Sequence, residues 1–333
     1  MKGSGTGTAI TGIGSAVPEQ LLSNDDLSTI VDTSDEWIKT RTGISQRHLA
    51  PPSLLLSQLG ANAALRALDM AGITASDVDL ILLATSTADD MFGSACQIQA
   101  LLGADHAVAF DLTAACSGFV VGLVTAAQFI RTGVYRNVLV IGADILSRWV
   151  DWNDRSTCVL FGDGAGAIVC QANGENDRLL GFEMHSDGSL AQALSISYNG
   201  QSQTLQEEVA IAQGNYESIK MNGKEVYRFA VAKVPEVIEK ALYRADLTVQ
   251  DVDWLLLHQA NQRIMDTVAE RLAIDNAKVL TNLSKYGNTS AASIPLCLDE
   301  AVRSGRVRPG QIIAASGFGA GLTWGAAIFK WGK

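Results

Sequence analysis

Charge is sparse and basic residues are outnumbered. In 333 residues, 25 Lys and Arg face 35 Asp and Glu, 18% of the chain in all, for a formal net charge of −10. A surface of that sign repels nucleic-acid phosphates and anionic lipid heads unless a local basic patch overrides it, so neither nucleic acid nor a membrane is an expected partner. Long hydrophobic runs are missing as well. Stretches such as Val138–Ala143 and Leu255–Leu257 fall far short of the ~20 residues that span a bilayer. Cysteine is scarce and odd in number: five, at 96, 116, 158, 170 and 297, with no C-x-x-C pair and no basic-then-apolar leader. That pattern argues against a disulfide framework and against secretion, and places the chain in a reducing cytoplasm. The four histidines, at 48, 106, 185 and 258, have no spacing that suits a zinc site. P-loop, zincin and G-x-S-x-G signatures are absent too.

What is present is apolar residue, 47% of the chain, enough for a packed core, in a length that a prior of about 150 residues per domain divides into two units. Short β-branched or leucine-rich runs alternate with alanine-rich amphipathic stretches, which predicts an α/β fold with strands covered on both faces. Predicted strands are Thr8–Gly12, Leu80–Thr85, Ala107–Asp111, Val138–Ala143 and Ala165–Cys170, then Leu179–Met184, Trp254–Leu257, Val279–Thr281, Ile312–Ala315 and Ala326–Phe329. Helices are expected at Ser53–Ala71, Gln97–Leu102 and Ser117–Arg131. The segment beginning at Asp77 (DVDLILLA) parallels that beginning at Asp251 (DVDWLLLH) at an offset of 174, and the fourth strands, from 138 and 312, share it. Strand order and spacing that recur predict a duplicated module around a pseudo-twofold axis, with halves 1–174 and 175–333 sharing one interface. Residues 188–214 are polar and read as a surface excursion.

Three glycine-rich stretches fail as dinucleotide sites. Gly12-Ile-Gly14 lacks its third glycine, Gly162–Ala167 precedes an apolar strand instead of a helix, and Gly317–Gly321 has Leu322 at the third position. Cys116 follows a strand and opens a helical run, where the helix end favours thiolate; it reads either as a nucleophile or as a small buried hydrophobe. His258 ends the strand Trp254–Leu257, at the crevice side of an open sheet, and is otherwise structural. Asn288 sits past a strand at the start of a helical run, as the repeat counterpart of Cys116 at an offset of 172, and alternatively is an N-cap. The three share one predicted crevice.

The stretches Asp111–Phe119 (DLTAACSGF), His258–Ile264 (HQANQRI), Tyr286–Pro295 (YGNTSAASIP) and Gly317–Trp324 (GFGAGLTW) resemble the β-ketoacyl-acyl-carrier-protein synthase III family. So do Thr33–Ile44 (TSDEWIKTRTGI), Asp154–Thr157 and Phe161–Gly166. The resemblance covers essentially the whole chain. It implies a thiolase-like five-layer αβαβα sandwich of two duplicated βαβαβαββ halves, a homodimer, and no metal or redox cofactor. It further implies that Cys116 is acylated by acetyl-CoA, that His258 and Asn288 stabilise the enolate formed from malonyl-acyl carrier protein, and that the backbone N–H groups of Cys116 and Ala320 hold the oxyanion. Trp37 and Arg155 would grip the adenine, Arg41 and Thr42 would lie near the CoA phosphates, and Gly223, Asn261 and Phe318 would line the pantetheine tunnel. Phe92 would reach into the partner subunit's pocket and favour a short primer. The segment Gln259, Ala260, Asn261, Gln262 and Arg263, with Arg228 and Arg271, would bind the acyl carrier protein. A polyketide or quinolone starter synthase and a non-catalytic acyl-CoA-binding relative are the alternatives; a biosynthetic thiolase would need a second cysteine in the last loop, which has none.

Overall fold

A computed structural model describes residues 6–332. The strands of the first sheet are β1 (Thr8–Ala16), β2 (Leu80–Ala84), β3 (Val108–Leu112), β4 (Asn137–Asp144) and β5 (Gly164–Ala172). Those of the second are β6 (Leu179–Ser186), β7 (Trp254–Leu257), β8 (Val279–Leu280), β9 (Ile312–Gly319) and β10 (Thr323–Lys330). The spatial orders are β1-β5-β4-β2-β3 and β6-β10-β9-β7-β8, the same order once five is added to each label. Pairing directions match as well: the pairs of β2 with β3 and β4 are parallel, as are those of β7 with β8 and β9, and the remaining pairs are antiparallel.

The main helices are α1 (Asp35–Thr42), α2 (Leu56–Ala71), α3 (Ala95–Leu102), α4 (Gly118–Arg131), α5 (Gly223–Arg244), α6 (Gln262–Arg271) and α7 (Ser293–Arg303). Helices α4 and α7 lie between the sheets, because Phe119, Val120, Ile294 and Leu298 share one core with Leu80 and Val138 of the first sheet and Leu256 and Ile313 of the second. Helices α2 and α3 cover the outer face of the first sheet, and α5 and α6 that of the second. The result is the five-layer αβαβα sandwich that the family resemblance implies. Strand β2 is buried at every residue, which is why it reads as a continuous apolar run instead of an alternating one. No helix of the described residues is long and apolar enough to cross a membrane.

Every predicted strand is found; the helix starts and the polar excursion differ. Helix α2 begins at Leu56, not Ser53, because the Asp89 carboxylate accepts the N–H groups of Leu56 and Ser57 at 2.9 and 2.8 Å. Helix α3 begins at Ala95, whose N–H donates to Asp111 at 2.7 Å. Both are caps supplied from distant sequence, and local N-cap signals cannot show them. Residues 188–214 hold a 3₁₀ segment (Gly188–Ala193) and an exposed hairpin pairing Tyr198–Gln206 with Val209–Tyr216. Its polarity is plain in the sequence, but its strands lack the apolar alternation that would announce them.

The repeat offset also needs correction. Leu80 pairs with Val138 and Trp254 with Ile313, so β4 maps onto β9 at an offset of 175 rather than 174. Ala115 (φ 45°) and Ser290 (φ 50°) open matching 3₁₀ turns, Ala115–Ser117 and Ser290–Ala292, also 175 apart. The counterpart of Cys116 is therefore Ala291, not Asn288. Spacing from the preceding strand misleads here because a short helix, Leu283–Tyr286, intervenes between β8 and its turn.

Candidate active site

Cys116 lies in the 3₁₀ turn between β3 and α4 and is 7% exposed. Two glycines of β9 wall it in. A Cβ on Gly317 would stand 3.0 Å from the Cys116 carbonyl oxygen, and one on Gly319 would stand 2.5 Å from the Cys116 nitrogen. The other half repeats the arrangement, since Gly142 of β4 leaves no room for a Cβ beside the Ala291 carbonyl. Each half thus packs a glycine against the turn of the other, and the thiol sits where the halves meet.

His258 follows β7, its N–H donating to the Ser316 carbonyl of β9 at 2.8 Å. Its ring meets Phe318 edge to face at a centroid distance of 5.4 Å, and its Nδ1 lies 2.7 Å from the Ser293 hydroxyl at the start of α7. Asn288 is fixed through its backbone, which donates to Leu160 and accepts from Gly162. Its Oδ1 accepts the Ser290 N–H at 2.9 Å, which leaves the side-chain amide nitrogen free to donate. Shared contacts link the three: Gly317 and Gly319 of β9 flank Cys116, Phe318 between them touches the His258 ring, and Ser290 meets both Asn288 and the Cys116 thiol.

Burial sets the electrostatics. Desolvation drives His258 down to about 3, so its imidazole is neutral. The Cys116 thiol is pushed up to about 12, chiefly by burial and further by the Asp144 carboxylate, with the Ser290 hydroxyl opposing. The thiolate expected from the helix position is therefore not the resting form. A helix N-terminus favours an anion by up to about 2 kcal/mol, less than the desolvation penalty of a wholly buried thiolate. Asp144, also raised by burial, is held by the Ser86 and Ala291 N–H groups and by the Thr85 and Thr87 hydroxyls, and so braces the turn facing Cys116. Nothing in the sequence around Asp144 signals this, because its partners come from two distant segments, Thr85–Thr87 and Ala291.

The remaining residues divide. Arg41 and Arg155 each place a guanidinium carbon 4.8 Å from the Trp37 ring centroid. A base between Trp37 and Arg155 needs roughly 7 Å, two stacking distances of about 3.5 Å, so Arg155 must move outward to admit one. Thr42, expected near the CoA phosphates, is 4% exposed, and its hydroxyl is already engaged, donating to Ile38 and accepting from Ile44. Gly223 borders a cavity of about 740 Å³ shared with Asp154, Ser156, Lys220 and Lys224. Asn261 caps α6 and donates to the Arg41 carbonyl at 3.1 Å, tying the Trp37 segment to the helix. Phe92 is fully exposed. Ala320 is not among the positive-φ residues, so its methyl carries no left-handed strain.

In the segment expected to bind the carrier protein, Gln259 corrects the expectation: it is 1% exposed and bonded to Leu257, Leu280 and Asn282. Ala260 is half-buried against the core, and Gln262 donates to Asp266. Arg228, Arg263 and Arg271 are exposed on α5 and α6, Arg263 lying 5.8 Å from the Tyr227 ring centroid. Among the described residues no group of three His, Cys, Asp or Glu side chains could hold a metal ion.

Comparison with known proteins accords with this geometry. Residues 110–188 match the family model of 3-oxoacyl-[acyl-carrier-protein] synthase III, and residues 242–331 match that of its C-terminal region. β-Ketoacyl-[acyl-carrier-protein] synthase III of Microcystis aeruginosa is 69% identical over 332 residues, which cover 100% of both chains. The crystal structure of 3-oxoacyl-[acyl-carrier-protein] synthase III from Aquifex aeolicus superposes with a TM-score of 0.90 at 43% identity, covering 98% of this chain and 100% of that one. The priming β-ketosynthase of the R1128 polyketide pathway gives 0.91 at 35% identity, with 99% and 98% covered. The chain belongs to the β-ketoacyl-acyl-carrier-protein synthase III family.

Proposed function

We propose that this condensing enzyme initiates fatty acid synthesis by joining acetyl-CoA to malonyl-acyl carrier protein through an acyl-Cys116 intermediate. The observation that supports the assignment is a buried thiol behind glycine walls, linked through Phe318 and Ser290 to two neutral donors whose other polar atoms are already engaged. The Cys116 sulfur attacks the acetyl carbonyl, the bond to the CoA sulfur breaks, and the thiol proton leaves on CoA. Backbone N–H groups of Cys116 and Ala320 hold the oxyanion. Malonyl-acyl carrier protein then loses CO₂; the electron pair of that C–C bond becomes an enolate, which receives hydrogen bonds from His258 and the Asn288 amide. The carbanion attacks the acetyl thioester, acetoacetyl-acyl carrier protein leaves, and Cys116 regains a proton. Each bond change is handled by a thiol, hydrogen-bond donors and CO₂ release, so the scheme calls for no metal or redox cofactor.

Trp37, Arg41 and Arg155 receive the adenosine end of CoA, and Gly223, Asn261 and Phe318 flank the path of its pantetheine. The exposed arginines of α5 and α6 supply a basic face for the acidic carrier protein in the cytoplasm. A second copy of the chain completes the molecule: β3 is an edge strand with Val108 and Phe110 48% and 39% exposed, next to Met91 and Phe92 at 83% and 101%. An apolar edge of this kind invites strand pairing with another copy.

The likeness to a polyketide priming enzyme keeps a second reading open, a different acyl primer. A panel of acyl-CoAs with malonyl-acyl carrier protein, read by product mass, tests this. Acetyl-CoA is expected to give acetoacetyl-acyl carrier protein as the main product; preference for a long or aromatic primer assigns the chain to starter-unit synthesis.

A further inference from the structure

The tautomer of His258 follows from its hydrogen bonds. Ser293 is 1% exposed, and its Oγ lies 2.7 Å from His258 Nδ1 and 3.3 Å from the Gln259 backbone N–H, which donates to it. Among the described residues the Ser293 hydroxyl has no other partner, so its own hydrogen has one acceptor within reach, Nδ1. An imidazole that accepts at Nδ1 and is neutral carries its proton on Nε2.

Internal duplication supplies an independent comparison. At the repeat offsets of 174 and 175, His258 corresponds to Ala84 and Ser293 to Gly118, the first residue of α4. Gly118 has no side chain at the equivalent position, and the hydroxyl of the preceding Ser117 donates to the Ala114 carbonyl. The serine occurs in the half that carries the imidazole, which separates it from the needs of the fold.

We infer that Ser293 is a positioning residue: by donating to Nδ1 it holds His258 as the tautomer whose Nε2–H faces the substrate oxygen. The inference rests on the reading of His258 as an enolate hydrogen-bond donor. With the hydroxyl removed, both tautomers become available to the ring, and the one protonated at Nδ1 offers a lone pair to a developing anion. In metal sites, losing the hydrogen bond that fixes a histidine's tautomer costs roughly 10–100-fold, and a loss at the lower end of that range is expected here.

The test uses histidine ¹⁵N-labelled protein and long-range ¹H–¹⁵N correlation at pH 7, with acetylation of Cys116 and malonyl decarboxylation measured separately. In the wild type, His258 is expected as the Nε2–H form. Ser293→Ala is expected to populate the Nδ1–H form and to lower decarboxylation at least tenfold, with acetylation by acetyl-CoA within about twofold. Ser293→Thr, which keeps the hydroxyl, should restore both. A wild-type spectrum showing Nδ1–H overturns the inference without any variant, as does a Ser293→Ala spectrum identical to wild type. A shifted tautomer with undiminished decarboxylation overturns the positioning role. The reading of His258 itself fails separately, if His258→Ala decarboxylates normally.

Discussion

Cys116 and His258 are held in neutral forms by burial, and this governs how each acts. A thiol raised to about 12 is not a standing thiolate, so in the proposed reaction it gives up its proton only as the acyl group arrives. A histidine lowered to about 3 donates a hydrogen bond without acting as an acid across the physiological range. His258→Ala should therefore abolish malonyl decarboxylation while leaving Cys116 acetylation intact. In the wild type the decarboxylation rate should show no inflection near pH 6.5, where an ordinary histidine titrates. An acidic limb with that midpoint, removed by His258→Ala, would contradict the neutral role. The sequence made Cys116, His258 and Asn288 visible as residue types at strand-to-helix corners. It could not show that burial raises the thiol, because desolvation depends on the second half closing over it, nor Asp144 and Ser293, whose partners lie far along the chain.

Elements were legible in proportion to how locally they are determined. Buried strands such as Leu80–Ala84 announce themselves because both faces are covered, whereas α2 and α3 start where Asp89 and Asp111 cap them from a distance. Helices α5 and α6 carry the proposed docking face, and here side-chain direction corrected the motif. Gln259 points inward, while Arg263 remains exposed at the start of α6. Arg263→Glu reverses one charge on that face and should raise the KM for malonyl-acyl carrier protein several-fold, with acetyl transfer from CoA nearly unchanged. Equal losses in both half-reactions would place the effect in the active site rather than at the carrier surface.

At the scale of the molecule, the scarcity of charge takes on a particular meaning. With a net charge of −10 the chain has no bulk attraction for an acidic carrier protein, so the proposed docking face relies on a few arginines of α5 and α6. We take residues 1–174 and 175–333 as the duplicated halves; together they form one active site rather than two working units. The exposed apolar edge around β3 should be covered by a second copy. Light scattering is expected to report a dimer of about 71 kDa, twice the 35.3 kDa chain, and Phe110→Asp should shift it toward monomer. A wild-type monomer at micromolar concentration would remove the dimer from the account.

The central claim is that Cys116 carries the acyl group between the two substrates. Peptide mass spectrometry after brief incubation with acetyl-CoA alone tests it most directly. One acetyl group is expected on the peptide containing Cys116, absent in Cys116→Ser and discharged on adding malonyl-acyl carrier protein. Unmodified Cys116 in protein that still turns over, or an acetyl group on another cysteine, would contradict it.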